Sequence, residues 1–97
     1  MLKSELVNLL YEELRKTQIE FYDVRQGVDI ILDSFDRALA SGERIEIRGF
    51  GSFQLHHLDA RLARNPRTGQ SVSVPERHTP HFRPSQQLRE RINLHFS

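Results

Sequence analysis

Apolar residues in the first part of the chain recur with the period of an amphipathic helix. Leu6, Leu10 and Leu14 are spaced so that they share one helix face. Ser4 stands at the position of an N-cap, and Glu5 follows it at the positive end of the helix dipole. The pattern therefore predicts a first helix that Ser4 caps and that packs through its leucine face.

A longer apolar stripe predicts a second helix, which ends where Ser41-Gly42 follows the last periodic residue. Gly27 lies within this helix and costs about 1 kcal/mol relative to alanine. Close approach of another helix would explain a glycine at this position. The residues of the stripe are Val24, Val28, Ile31, Phe35 and Leu39.

Beyond the second helix the pattern changes to the two-residue alternation of strands. Arg44, Glu46 and Arg48 alternate with isoleucines, which places the charged residues on one face of a strand and the isoleucines toward a core. The turn Gly49–Gly51 needs unusual backbone freedom or close approach of the chain. Residues 52–58 alternate again, so the two segments predict a hairpin.

Residues 60–75 predict a β-ribbon that protrudes from the body. They contain too few apolar positions to bury two faces, residues 71–74 alternate, and Asn65–Gly69 has the composition of a turn. We expect two strands joined at Pro66, mobile until a partner binds because isolated two-stranded ribbons are marginal in water. A long disordered loop is the alternative.

The end of the chain predicts a return to the body and a last helix. His81 and Phe82 suggest a short strand, and Ser85 is placed to cap a helix from Gln86 to about Leu94. The fold class is therefore α+β, with two N-terminal helices, an antiparallel sheet with a long protruding β-ribbon arm, and a short C-terminal helix. Within a single domain of residues 1–97, the helical base, the sheet, the arm and the C-terminal helix cover residues 1–42, 43–59 with 79–84, 60–75 and 85–97.

Charge is unevenly distributed along the chain, although the net charge is only +1. Residues 1–42 carry a net charge of −3, whereas residues 43–97 carry +4 and all five histidines. Residues 60–75 contain three arginines and no acidic residue, which makes this segment a candidate for binding a polyanion, with a solvated basic loop as the alternative. The two helices also carry more apolar positions than so small a body covers, since small domains bury only about 60% of their unfolded surface, and this favours a dimer.

Several classes of protein are excluded by other features of the sequence. There is no cysteine, hence no disulfide framework or thiolate metal site, as is typical of a reducing, cytoplasmic compartment. The longest aliphatic run, Ile30–Leu32, is too short to span a membrane, and polar residues interrupt any N-terminal signal sequence. Without a Ser/His/Asp constellation, a phosphate loop or paired carboxylates in an apolar setting, we expect no enzyme activity and no cofactor.

Two motifs carry a resemblance to a known family. GERIEIRGFGSF at Gly42–Phe53 and ARNPRTG at Ala63–Gly69 resemble the HU/integration host factor family of bacterial DNA-bending proteins. The resemblance extends from KSEL near the start to PHFRPSQQLRER near the end, and RIEIRGFGSF is most similar to beta-type subunits of integration host factor. The family is a standard example of minor-groove architectural binding. The resemblance therefore implies an intertwined dimer, either a homodimer or a heterodimer with an alpha-type subunit, whose two arms wrap the minor groove of double-stranded DNA.

The resemblance also implies roles for the arm residues. Pro66 would be inserted between base pairs, since proline is rigid and apolar and has no N–H to leave unpaired, whereas its alternative role is that of a turn former. Arg61, Arg64 and Arg67 would follow the phosphates or enter the narrow groove, and Asn65 would contact DNA beside them.

On the body, Arg44, Glu46 and Arg48 would contribute to sequence preference. Glu46 would orient Arg48 toward DNA, with a surface ion network of low energy as the alternative.

Helix N-termini would clamp phosphates at Lys3 and Ser4 and again at Ser85 and Gln86. Here the sequence departs from the family pattern, because Ser-Gln stands where many relatives carry Gly-Lys. This flanking contact lacks a cation, for which Arg83 or the helix N-terminus itself would compensate.

The histidines are expected to be surface or DNA-facing residues rather than metal ligands. His56 and His57 are adjacent in a strand and point to opposite faces, while His78 and His81 have no carboxylate at ligand spacing. The residues and the resemblance together predict a non-enzymatic protein of the bacterial nucleoid that bends DNA in recombination, replication and transcription control. The alternatives are an HU-type protein without sequence preference and a protein-interaction module that does not bend DNA.

Overall fold

The computed structural model describes residues 1–96, which form two compact units divided between Arg37 and Ala38. Ser97, which the sequence analysis assigns to the last helix, lies outside the described residues. The elements are α1 (Lys3–Leu14), a short 3₁₀ turn (Arg15–Thr17), α2 (Phe21–Ala40), β1 (Ile45–Ile47), β2 (Gly51–Leu58), β3 (Arg61–Arg64), β4 (Ser71–Val74), β5 (Arg77–Pro84) and α3 (Gln86–Phe96).

In the first unit, helix α1 begins earlier than the sequence suggests. Leu2 occupies the N-cap and provides no side-chain hydrogen bond. The prediction that Ser4 caps this helix is therefore wrong, because Ser4 already lies within the first turn. Leu6 remains 41% exposed, so the packed face is rotated slightly away from the expected row of leucines.

The core of this unit is small. Val7, Val24 and Val28 are its buried residues, and Tyr11 packs edge-on against Phe21 at a ring separation of 5.4 Å. The partly buried apolar residues around this core are Leu10, Tyr11, Leu14 and Ile19.

Gly27 on α2 does not serve a close helix approach within this chain. Among residues 1–96, a Cβ atom at this position would meet no atom of another segment within 4 Å, so the sequence-based explanation is wrong for the isolated chain. Ile30, Ile31 and Leu32 on the same helix are 61%, 52% and 41% exposed. A large apolar surface of α2 is thus left uncovered.

The second unit contains a three-stranded antiparallel sheet in the order β1-β2-β5. Strand β5 pairs with β2 along its whole length, from Gly51 opposite Pro84 to Leu58 opposite Arg77. The predicted short strand is thus eight residues long, because β2 offers a partner at every position. Its prolines are tolerated since β5 is an edge strand, where one side of the ladder is unpaired.

The register divides the sheet into an apolar and a polar face. On the apolar face Ile45, Phe53 and Phe82 form one row, in which the two phenylalanine rings lie 4.8 Å apart. On the opposite face Glu46, Ser52 and Arg83 form the adjacent row. The predicted hairpin and its inward-facing isoleucines are confirmed.

The turn between β1 and β2 requires both of its glycines. Gly49 has a φ of +79°, and a Cβ on Gly51 would lie 2.5 Å from the carbonyl oxygen of Arg83 and 2.7 Å from the Phe82 ring. Backbone freedom at the first glycine and close approach at the second are therefore both present, as the sequence indicates.

The arm, defined as residues 60–75, is a separate two-stranded sheet. Arg61 pairs with Val74 and Arg64 with Ser71, so the predicted ribbon is confirmed and the disordered loop is not adopted. At the tip, the Asn65 N–H donates to the Gln70 carbonyl at 2.8 Å, and the Gly69 N–H donates to the Asn65 carbonyl at 2.7 Å.

Helix α3 is capped as expected. The Ser85 hydroxyl oxygen accepts a hydrogen bond from the Leu88 N–H at 3.0 Å. The helix is held to the β1–β2 turn by Arg91, whose Nη2 donates to the Gly49 carbonyl at 2.8 Å. Within residues 1–96, no helix has both the length and the apolar character that crossing a bilayer requires.

Candidate nucleic-acid interface

A concave basic surface lies where β1, the end of β5 and the start of α3 meet. It is a cavity of about 380 Å³, which we call the arginine cavity. A single carboxylate, Glu46, lines it beside four arginines, which are Arg44, Arg48, Arg83 and Arg89. In the sequence analysis Arg44, Glu46 and Arg48 belong to one predicted strand and Arg83 to a separate segment, and the sheet register places these segments together.

Within residues 1–96, no ion pair neutralises the charges of the arginine cavity. Among residues 1–96, none of its four arginine side chains forms an ion pair or a hydrogen bond, and neither does Glu46. The alternative of an ion network through Glu46 is therefore wrong. Uncompensated like charges in a concavity raise the local concentration of anions, so this surface suits a polyanion.

Two of the predicted residues are placed differently from expectation. Strand β1 comprises only Ile45–Ile47, so Arg44 precedes it and Arg48 begins the following turn. Both side chains nevertheless line the arginine cavity with Glu46. Arg48 is held near packed structure by the adjoining turn rather than by strand pairing of its own.

At the start of α3, two side chains of the predicted phosphate clamp already make hydrogen bonds within the protein. The Ser85 hydroxyl caps the helix, and the Gln86 side-chain amide donates to Glu90 at 3.1 Å. Arg89 lies one turn further along and supplies a cation to the same cavity. Sequence reasoning missed Arg89, although its helical spacing from Ser85 is a signal that would have found it.

The other predicted clamp lies in the first unit. Lys3 and Ser4 line a cavity of about 400 Å³ together with Arg25. The Lys3 ammonium forms an ion pair with Asp29, and this hydrogen bond lowers the pKa of the Asp29 carboxyl below its ordinary value, with the charges of Lys3 and Arg25 adding to the effect. Lys3 is therefore already partnered in the free chain.

The candidate residues of the arm lie on a solvent-exposed, two-stranded ribbon. Because side chains alternate along a strand, Arg61 and Arg64 lie on opposite faces of the ribbon. Pro66 is exposed at the tip, beside Arg67. Asn65 has a structural role, because its side-chain oxygen accepts a hydrogen bond from the Arg67 N–H at 2.9 Å.

Four exposed histidines lie on β2 and β5, two on each face of the sheet. His56 and His81 stack on the polar face with ring centroids 4.2 Å apart, whereas His57 and His78 lie on the other face at 5.0 Å. Among the residues that the structure describes, no group of three or more histidines and carboxylates is arranged to hold a metal ion.

Comparison with known proteins decides the family. The sequence profile described as "Bacterial DNA-binding protein" matches residues 1–93. The chain belongs to this family.

Relatives within the family are named integration host factor subunit beta. That of Neisseria meningitidis is 50% identical over 97 residues, which cover 97% of this chain and 93% of the relative. That of Marinobacter nauticus is 50% identical over 93 residues, covering 96% and 93%. The resemblance to the HU/integration host factor family, and to its beta-type subunits, is thereby confirmed.

Solved structures of HU proteins share the fold. One is an HU–DNA cocrystal structure from Anabaena, with a TM-score of 0.82, 29% identity and coverage of 95% of this chain and 97% of that chain. Another is HU from Thermotoga maritima, with a TM-score of 0.60, 28% identity and coverage of 95% and 98%. The protein is thus a DNA-binding architectural protein of the HU/integration host factor type, in a family whose members are not enzymes.

Proposed function

We propose that this protein bends duplex DNA through the minor groove and thereby organises the cytoplasmic nucleoid and supports recombination, replication and transcription control. The observation that carries the proposal is the combination of an unneutralised arginine cavity with an arm whose tip exposes a proline. The body would bind phosphates from one side while the arm reaches around the duplex.

Intercalation by Pro66 would provide the bend. Its ring is exposed, and the backbone hydrogen bonds at both sides of the tip hold it at the apex of the arm. Unstacking a base step costs a few kcal/mol, which is offset by the additional contacts that a bent duplex makes. Since Arg61 and Arg64 face opposite sides of the ribbon, one would enter the groove and the other would follow a phosphate backbone.

On the body, the proposal assigns DNA contacts to the arginine cavity, to the start of α3 and to the start of α1. On contact with DNA, Glu46 would orient Arg48, which it does not do in the free chain. The residues concerned are Lys3, Ser4, Arg44, Glu46, Arg48, Arg83, Ser85 and Gln86.

A dimer would complete the molecule. The exposed apolar residues of α2, including Ile30, Ile31 and Leu32, need a second subunit to cover them. In this proposal residues 1–42 form the dimerisation base and residues 60–75 of each chain form one arm of a clamp. The partner would be either a second copy or an alpha-type subunit, and the latter is favoured by relatives that are named as beta subunits.

The replacement Pro66→Ala tests the proposal. It keeps the arginines of the arm but removes the wedge, so the bend angle should fall while affinity weakens only modestly. Fluorescence transfer between the ends of a labelled duplex measures the bend. Pro75→Ala, at the base of the arm, is the matched control and should leave the bend unchanged. An unchanged bend in Pro66→Ala would show that Pro66 is only a turn residue.

An HU-type function without sequence preference is the second candidate. It is favoured by the similarity of the fold to HU structures. Competition between a selected site and a random pool separates it from binding with sequence preference.

A further inference from the structure

The four histidines of β2 and β5 differ in the charged groups that lie near their rings, and therefore in what would balance the charge of a protonated ring. On the apolar side of the sheet, His57 lies between two carboxylates, with Nδ1 3.3 Å from Asp59 and Nε2 3.4 Å from Glu76. A proton on His57 is therefore neutralised within the chain.

The stacked pair on the polar face has no such neutralisation. Among residues 1–96, neither His56 nor His81 forms an ion pair with a carboxylate. The rings are nearly parallel, with an interplanar angle of 20° and a centroid separation of 4.2 Å. Two charged imidazolium rings at this separation repel each other, and an anion from outside the chain would offset that repulsion.

The charged groups around the pair are mostly cations, which add to the repulsion between two protonated rings. On this face β5 also carries Arg77 and Arg83, while β2 carries Ser52, Gln54 and Leu58 and no charge. On β1 the only carboxylate is Glu46, which lies in the row of Ser52 and Arg83. Continuing the β1–β2 register places Arg44 opposite Gln54, next to His81. Cations thus outnumber the single carboxylate.

We propose that His56 and His81 together form a proton-linked phosphate-binding site on the polar face, between the arginine cavity and the arm, so that DNA binding takes up protons. The inference rests on the proposed function, because the anion is a phosphate of the bound duplex. A phosphate accepts charge-assisted hydrogen bonds from both protonated rings and removes their mutual repulsion. Affinity for DNA therefore rises as the pH falls through the range in which histidine ordinarily becomes charged.

The pH dependence of DNA affinity tests this site. The dissociation constant of the purified full-length dimer for a fluorescent duplex is measured by anisotropy at pH 6, 7 and 8 and constant ionic strength. We expect binding to be about 30-fold tighter at pH 6 than at pH 8, as for two histidines whose charged forms each gain about one pKa unit on binding, since each contributes about sixfold. The double variant His56→Asn, His81→Asn should lose most of this difference, and the control His57→Asn, His78→Asn should keep it.

A second measurement does not depend on variants. In NMR titrations of the unmodified protein, adding the duplex should move the titration midpoints of the His56 and His81 rings upward by about one pH unit and move that of His57 much less. A flat pH dependence with normal salt-sensitive binding, or unchanged midpoints, would overturn the inference and leave the proposed function intact. Absence of salt-sensitive binding at every pH would instead overturn the proposed function.

Discussion

The three-stranded sheet and the arm are both antiparallel and both carry arginines, but they support those arginines in different ways. In the sheet, Gly51 and Ser52 are buried and Phe82 packs against two other aromatic rings. In the arm, all of whose residues are described, none is buried, and Leu62 is 75% exposed. The arginines of the sheet thus adjoin packed structure, whereas those of the arm stand on a ribbon without a core.

This difference in support implies a division of labour in DNA binding. Groups held rigidly can respond to sequence-dependent groove width and deformability, because a misplaced rigid group binds the DNA less well. An arm with little buried surface opens at low free energy and adapts to the DNA that it meets. We therefore expect the sheet to determine preference and the arm to determine bending and general affinity.

The largest effect is expected from replacing three arginines of one region at once. For about 6–10 neutralised phosphates, affinity should fall about 10³- to 10⁵-fold between about 50 and 200 mM salt. The arm variant Arg61→Ala, Arg64→Ala, Arg67→Ala should reduce the slope of log K against log salt by about 0.9 for each phosphate that is no longer neutralised, and should also reduce the bend.

The matched variant of the sheet replaces Arg44, Arg48 and Arg83 with alanine. It should reduce the salt slope to a similar extent while leaving the bend of each bound complex unchanged. Titrations at four salt concentrations, combined with fluorescence transfer at saturation, give both quantities. If the sheet variant abolishes bending and the arm variant does not, the proposed division is reversed.

The next largest difference is expected in the stability toward unfolding when a glycine is replaced in the sheet or in the arm. Gly51→Ala forces a Cβ to within 2.5 Å of the Arg83 carbonyl oxygen, and the required backbone shift should cost about 1–3 kcal/mol in the free energy of unfolding. Gly69→Ala strains the arm tip, where φ is +72°, by about 1–2 kcal/mol. Because the arm has no core, this strain should stay local and leave the thermal midpoint nearly unchanged. Equal losses in thermal unfolding would mean that the arm and sheet unfold together.

Single arginine replacements should then distinguish preference from general affinity. Arg48→Ala should reduce the ratio of the affinity for a selected site to the affinity for random duplex by up to about tenfold, equivalent to about 1.4 kcal/mol. Arg61→Ala should weaken both complexes about equally, since phosphates and minor-groove edges carry little sequence information. Competition binding gives the two ratios. If Arg48→Ala leaves this ratio of affinities unchanged, the sheet is a general phosphate-binding surface without sequence preference.

The smallest effect is expected in the helical unit, outside both regions. The Lys3 hydrogen bond lowers the pKa of Asp29 in the folded chain, so its stabilisation is present above the ordinary carboxyl pKa and is lost as the pH falls through the lowered value. Asp29→Asn should therefore be slightly less stable than the wild type at neutral pH and equal to it in strong acid. Chemical unfolding at pH 7 and pH 2 measures this, and a difference that persists at pH 2 would exclude the ion pair as its cause.

Local patterns in the sequence were sufficient to predict the three helices and the strands, but not the 3₁₀ turn at Arg15–Thr17 or the full length of β5. Turn-forming residues at Asn65–Gly69 and the glycines around Phe50 mark the hairpins, because their backbone requirements are local. Ser85 was identified correctly as a cap for the same reason. Ser4 was not, since the helix begins two residues earlier than predicted, at Lys3, and leaves the cap position to Leu2.

Tertiary structure alone decided which side chains meet. The arginine cavity brings Arg44 and Arg48 together with Arg83 and Arg89 from the end of the chain, and the stacking of His56 on His81 depends on the β2–β5 register. A shift of one residue in that register would place every side chain of β5 on the opposite face. Register is set by the packing of distant residues such as Phe53 and Phe82, which is why the sequence determined the elements and the residue types, and only the folded chain determined the binding surface that they form.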